Sequence, residues 1–103
     1  MNAAKAIQNI VDTLRSDFRP VLSDDSINIF LTIALEPNLH PVDLASKLDL
    51  IKPEIDVAIA GLMTVFSVRF STVGLIFMCQ DGSLEATETG KKISQGLFNF
   101  YAA

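Results

Sequence analysis

The chain has little of the residue types that several common protein chemistries require. Its 103 residues include one cysteine, one histidine and no tryptophan. A lone cysteine cannot close an internal disulfide, and one cysteine with one histidine cannot supply the four ligands of a structural zinc site. We therefore expect no disulfide framework and no metal site, and we interpret Cys79 as a buried apolar residue in a reducing compartment.

Signatures of catalysis are also missing. The five glycines are scattered singly, so the sequence has no glycine-rich loop of the kind that holds phosphate groups. His40 precedes Pro41 at a predicted helix start, where a capping role explains it better than a role as the base of a nucleophile pair. We expect no enzymatic activity, no catalytic residue and no cofactor.

Long hydrophobic runs are absent, although half of the residues are hydrophobic and only 19% are charged. The longest apolar runs, over 29–35 and 75–79, are far shorter than the roughly 20 residues needed to span a bilayer. The first residues include Asp12 and Asp17, which interrupt any apolar core of a signal peptide. This composition excludes a disordered chain and predicts one cytoplasmic domain over 1–103, without a membrane span.

Hydrophobic periodicity predicts two helices in the first third of the chain. Apolar residues at helical spacing indicate an amphipathic helix over 3–18, which Pro20 ends. Ser23 and Asp24 are good caps for a second helix over about 25–35. That helix is apolar nearly all the way round, so we expect it at the centre of the fold.

Two shorter helices and a hairpin follow. Pro41 suits the first turn of a helix over 41–48, and Pro53 begins a fourth helix that continues to about Leu62. Residues 64–73 are rich in β-branched and aromatic side chains, which is typical of a strand. A turn signal then separates two strand candidates, and a last helix follows; these three segments span 75–79, 84–87 and 88–101.

The order of these elements predicts a mainly α fold with a small β-hairpin (α+β). Within 44–62, Ala45 is small where two helices would cross, and Asp49 occupies a turn that needs the left-handed conformation. The hairpin is followed by Thr87-Glu88-Thr89-Gly90-Lys91-Lys92. Together these segments resemble winged helix-turn-helix regulators of the MarR type, here with additional N- and C-terminal helices.

The resemblance implies a transcriptional regulator that binds DNA through the helix-turn-helix at 41–62. In such families the second helix of the motif enters the major groove and the wing lies at the adjacent minor groove. By position, the DNA-facing residues here would be Ile51, Lys52, Asp56 and Val57, with Arg69 as a further cation near the wing.

The charge distribution supports a different partner. Residues 23–65 contain two lysines and seven acidic residues, a net charge of −5, and such a segment repels phosphate. The alternative is a winged helix that does not bind DNA and instead docks a basic protein through Asp49, Glu54 and Asp56. The sequence leaves both functions open.

The terminal helices carry more apolar residues than one small core needs. Exposed apolar and aromatic residues of this kind form protein interfaces. We therefore predict a homodimer through the two terminal helices, with interface residues Ile7, Ile10, Val11, Leu14, Phe18, Leu97, Phe98, Phe100 and Tyr101.

Overall fold

The computed structural model describes residues 3–36, 38–68 and 72–102, and these ranges contain five helices and four short strands. The helices are α1 (Ala3–Asp17), α2 (Asp24–Leu35), α3 (Pro41–Leu48), α4 (Lys52–Thr64) and α5 (Glu88–Ala102). The strands are β1 (Phe66–Ser67), β2 (Thr72–Val73), β3 (Ile76–Met78) and β4 (Leu84–Ala86). The fold is thus mixed α+β with helices dominant, and the five predicted helices are confirmed to within two residues at their ends.

Local signals in the sequence account for the helix starts. The Ser23 hydroxyl accepts a hydrogen bond from the Ser26 backbone N–H at 3.2 Å, which caps α2. Pro41 opens α3, and the backbone N–H of His40 donates to the Asp43 carboxylate at 2.9 Å. His40 is therefore a capping residue, as its position beside Pro41 predicts.

Helix α2 lies at the centre of the core. It packs against α3, α4, α5 and β4. Phe30 and Ile29 are completely buried, and the other buried apolar residues of this helix are Ile27 and Ile33. The near-continuous apolar surface of α2 is explained by this position, because neighbours cover the helix on several sides.

The β3–β4 hairpin is joined to the helices by a backbone contact. Its strands pair antiparallel, with Phe77 opposite Glu85. The Leu84 N–H donates to the Leu39 carbonyl at 2.7 Å. Leu39 precedes α3, so this bond fixes the hairpin beside the segment that leads into α3.

Residues 64–73 do not form the single extended segment that their composition indicates. Strands β1 and β2 pair with each other, with Phe66 opposite Val73. Phe66 also exchanges two backbone hydrogen bonds with Arg19, at 3.0 and 2.9 Å. Because α4 continues to Thr64 and Arg19 lies far away in the sequence, composition alone could not identify this pairing.

The start of α5 is locked onto the chain just before β3. The Thr87 hydroxyl donates to the Gly74 carbonyl at 3.0 Å and accepts from the Gly90 N–H at 3.2 Å. A Cβ atom on Gly90 would lie 2.4 Å from the Leu75 carbonyl oxygen and 3.0 Å from a ring carbon of Phe30. Thr87 and Gly90 thus allow the start of α5 to pack closely against the backbone of Gly74 and Leu75.

We expect Gly90→Ala to lower the free energy of unfolding by about 1–3 kcal/mol, because overpacking forces backbone shifts. Gly61→Ala is the matched control, since a Cβ there meets no atom within 4 Å outside its own part of the helix. The control should be neutral or stabilising by up to about 1 kcal/mol, because alanine favours helix more than glycine does. Urea denaturation measures both values, and equal effects at the two positions would contradict the close contact at Gly90.

Candidate functional site

Helices α3 and α4 are joined by a tight turn over residues 49–51, and we call this region the α3–α4 corner. Asp49 ends α3 with φ 55° and ψ 46°, which is the left-handed conformation that its place in the turn predicts. The Leu50 N–H donates to the Ala45 carbonyl at 3.1 Å and tightens the turn. Ile55 and Leu62 are buried and hold the inner face of α4 against the core.

The outer face of α4 is open to solvent. Ile51 is 63% exposed and Val57 is 75% exposed. Lys52 and Asp56 are exposed on the same side of the helix. The structure thus brings together four of the five residues predicted to face DNA; the fifth, Arg69, lies outside the described residues.

Both lysines of this segment are engaged in ion pairs. Lys52 Nζ lies 2.7 Å from the Asp56 carboxylate one helical turn away. Lys47 Nζ lies 3.0 Å from the carboxylate of Glu36. Exposed pairs contribute little stability, but each one places an acid beside the cation that a phosphate would need.

The acidic residues of the alternative face are also accessible. Asp49 and Glu54 are exposed, and no ion pair is seen for either of them within the described residues. Asp56, by contrast, is the partner of Lys52. The α3–α4 corner therefore combines exposed apolar side chains with two carboxylates, Asp49 in the turn and Glu54 on α4, that have no ion-pair partner among the described residues.

The tip of the β3–β4 hairpin carries an acid in a tight turn. The Asp81 carboxylate accepts hydrogen bonds from the Ser83 hydroxyl at 2.7 Å and from the Ser83 N–H at 2.9 Å. These bonds, together with the nearby charge of His40, hold the pKa of Asp81 below the usual value of an aspartate. The tip of the hairpin, Gln80-Asp81-Gly82-Ser83, therefore presents a carboxylate and no cation to a binding partner.

An open groove runs beside the outer face of α4. It has a volume of about 550 Å³ and lies between α4 and the loop that joins α1 to α2, together with the first turn of α2. Its lining includes the exposed Val21 and Val57, the buried Leu22, and the carboxylates of Asp25 and Glu54. We call it the α2–α4 groove. Sequence reasoning missed it because its two walls are some thirty residues apart in the chain.

The predicted dimer residues of α1 lie within the core of this chain. Leu14 and Phe18 are 0% exposed and Ile10 is 7% exposed, while Val11 is partly buried against the same core. The reason is that α1 packs along α5 and covers the core. The side chains of the other predicted interface residues lie outside the part that the structure describes; they are Ile7, Leu97, Phe98, Phe100 and Tyr101.

Three further features bear on function: the free cysteine, possible metal ligands and possible membrane-spanning helices. Cys79 is half-buried with its Sγ 3.6 Å from a carboxylate oxygen of Glu85, so it is less apolar in its surroundings than its sequence context suggests. Across the described ranges, no cluster of three histidine, cysteine, aspartate or glutamate side chains could hold a metal ion. None of the described helices is both long enough and apolar enough to cross a membrane.

Comparison with protein-family models, with curated proteins and with solved structures finds no match for this chain. The features of this chain that bear on its function are the α3–α4 corner, the β3–β4 hairpin and the α2–α4 groove.

Acidification should reveal the hydrogen-bonded state of Asp81. Because its pKa is lower in the folded chain than in the unfolded chain, ionised Asp81 stabilises the fold above the unfolded pKa. This contribution is lost as the pH falls through the lowered pKa. Urea unfolding between about pH 7 and pH 2 should show a steeper acid loss of stability for the wild type than for Asp81→Asn. Parallel pH profiles would mean that the turn does not favour the carboxylate.

Proposed function

We propose that this chain is a small winged helix-turn-helix protein of the transcriptional-regulator type, similar in architecture to MarR-like regulators. The observation that supports this most strongly is the α3–α4 corner, in which α4 is anchored by its inner face and free along its outer face. The β3–β4 hairpin, bonded through Leu84 to Leu39, occupies the place of a wing beside that corner.

In this function α4 enters the major groove of DNA. Its 13 residues give a rod of about 20 Å, and the major groove admits a helix of this diameter. Lys52 would donate to a base edge or a phosphate, while Ile51 and Val57 suit the methyl group of thymine. Asp56 opposes this contact, because it binds the same lysine and repels phosphate.

We expect substitutions at the Lys52–Asp56 pair to change DNA affinity in opposite directions. Lys52→Ala should weaken duplex binding by about fivefold or more, because it removes the one cation on the outer face of α4. Asp56→Asn should strengthen binding, because it frees Lys52 and removes a negative charge. Fluorescence anisotropy with labelled genomic fragments at low salt measures both changes.

Lys47→Ala is the control for this titration, because Lys47 belongs to α3 and pairs with Glu36. The substitution removes the same charge without touching the outer face of α4. Absence of binding to any fragment by the wild type at low salt would rule out the DNA-binding function.

We also propose that the chain acts as a homodimer through its terminal helices. Ile10, Leu14 and Phe18 do not form this interface, because the core of one chain already buries them; the dimer would use the sides of α1 and α5 that face away from the core. Dimeric helix-turn-helix regulators bind two half-sites that are related by the two-fold symmetry of the protein, and this supports the proposal.

Sedimentation equilibrium at micromolar concentration should therefore give twice the chain mass of 11.2 kDa. A mass of one chain over that concentration range would contradict the dimer.

A second candidate function is a protein-docking module that does not bind DNA. The ion pairs of the α3–α4 segment favour this function. Both lysines of the segment are paired with acids, whereas Asp49 and Glu54 have no ion-pair partner among the described residues and can attract a basic protein. The DNA titration separates the two functions, because a docking module would give no shift with the wild type or with Asp56→Asn.

A further inference from the structure

Gly61 lies in the last turn of α4, three residues before its end at Thr64, where a glycine is still less favourable than an alanine. Glycine inside a helix costs roughly 1 kcal/mol relative to alanine. The fold gives no reason for this cost, because Gly61 does not have a left-handed φ and a Cβ there would meet nothing within 4 Å outside its own part of the helix. The residue leaves the backbone of α4 uncovered where it lines the α2–α4 groove.

The walls of the groove are apolar and exposed. Val21, in the loop between α1 and α2, is 65% exposed, and Val57, on α4, is 75% exposed. The buried Leu22 and Ala58 also line the groove, so its lining includes both exposed and buried apolar side chains. Concave apolar surfaces of this kind bind the apolar face of an amphipathic segment.

The charged residues at the groove have one sign. Asp25, in the first turn of α2, and Glu54, in the first turn of α4, both line it and are exposed. Within the described residues, no lysine or arginine lines the groove. The complementary ligand therefore carries positive charge on either side of its apolar anchors.

We propose that the α2–α4 groove binds a short amphipathic segment of a partner protein that presents apolar anchors flanked by lysine or arginine. The anchors lie between Val21 and Val57 and approach the bare backbone at Gly61. The flanking cations meet Asp25 and Glu54, which set the register of the segment. This proposal builds on the protein-docking function and specifies both the place and the chemistry of the partner.

The test uses labelled peptides of about three helical turns, with leucines on one face and lysines on the other. A second set, with glutamate in place of lysine, is the control for charge. We expect the basic peptides to bind at physiological salt and the acidic peptides not to bind. In ¹H–¹⁵N spectra, the amides that shift on binding should be those of the groove, around residues 20–26 and 53–65.

Gly61→Leu should fill part of the groove, because Gly61 lines it and a Cβ there meets no atom within 4 Å outside its own part of the helix. It should lower the affinity for the basic peptides by at least about tenfold while the melting temperature stays equal or rises. Val57→Ser should also weaken binding. Val42→Ser is the matched control, because Val42 is 73% exposed on α3 and does not line the groove.

Charge-reversal variants distinguish binding by the acidic residues of the groove from non-specific attraction of basic peptides to the negatively charged chain. Glu54→Lys should weaken binding of the basic peptides severalfold. Asp12→Lys makes the same change in net charge on α1, away from the groove, and should leave the affinity nearly unchanged. Thermal melts of both variants check that the fold is retained.

Three outcomes would overturn the proposal, and they differ in what else they affect. Failure of every basic peptide to bind would remove the groove site and the docking function together. Binding that shifts only amides around Asp49, or that resists Gly61→Leu, would refute the groove while leaving the docking function intact. If the groove amides do not shift with peptide but shift when the chain self-associates, the groove binds a second copy of the chain. If they shift only when duplex DNA is added, the groove binds DNA.

Discussion

Burial of α2 is the constraint on which the rest of the structure depends. Phe30, at its centre, is fully buried, and its ring lies close to the start of α5 at Gly90. Burying one large apolar side chain stabilises a fold by roughly 1.5–3 kcal/mol, and α2 contributes several such side chains. Because α3, α4, α5 and β4 all pack against this helix, its position determines where each of them lies.

Packing against α2 uses one face of α4 for the fold and leaves the other face available for binding. Helix α4 is held by its inner face, chiefly through Ile55 and Leu62, so its outer face takes no part in core packing. The outer residues can therefore change charge or polarity without altering the corner with α3. This is why the α3–α4 corner can keep its fold with paired lysines and exposed acids on its surface, and why the fold alone does not identify the binding partner.

The two candidate targets and the groove compete for one helix. Val57 belongs both to the outer face of α4 and to a wall of the α2–α4 groove, so a bound segment and a DNA duplex would exclude each other there. A partner in the groove would then regulate any contact made by Ile51 and Lys52. Its effect would be competition at a shared surface, which needs no change of conformation.

The helices, their caps and the left-handed turn at Asp49 were predictable from the sequence, because each depends on side chains only a few residues apart. The residues expected on the outer face of α4 came from the resemblance to winged helix-turn-helix regulators, by their position after the turn. The tertiary structure decided what depends on distant segments: the pairing of Phe66 with Arg19, the burial of Leu14 and Phe18 within one chain, and the α2–α4 groove. Apolar periodicity marks which residues leave water, but only packing decides whether the neighbour that covers them belongs to the same chain.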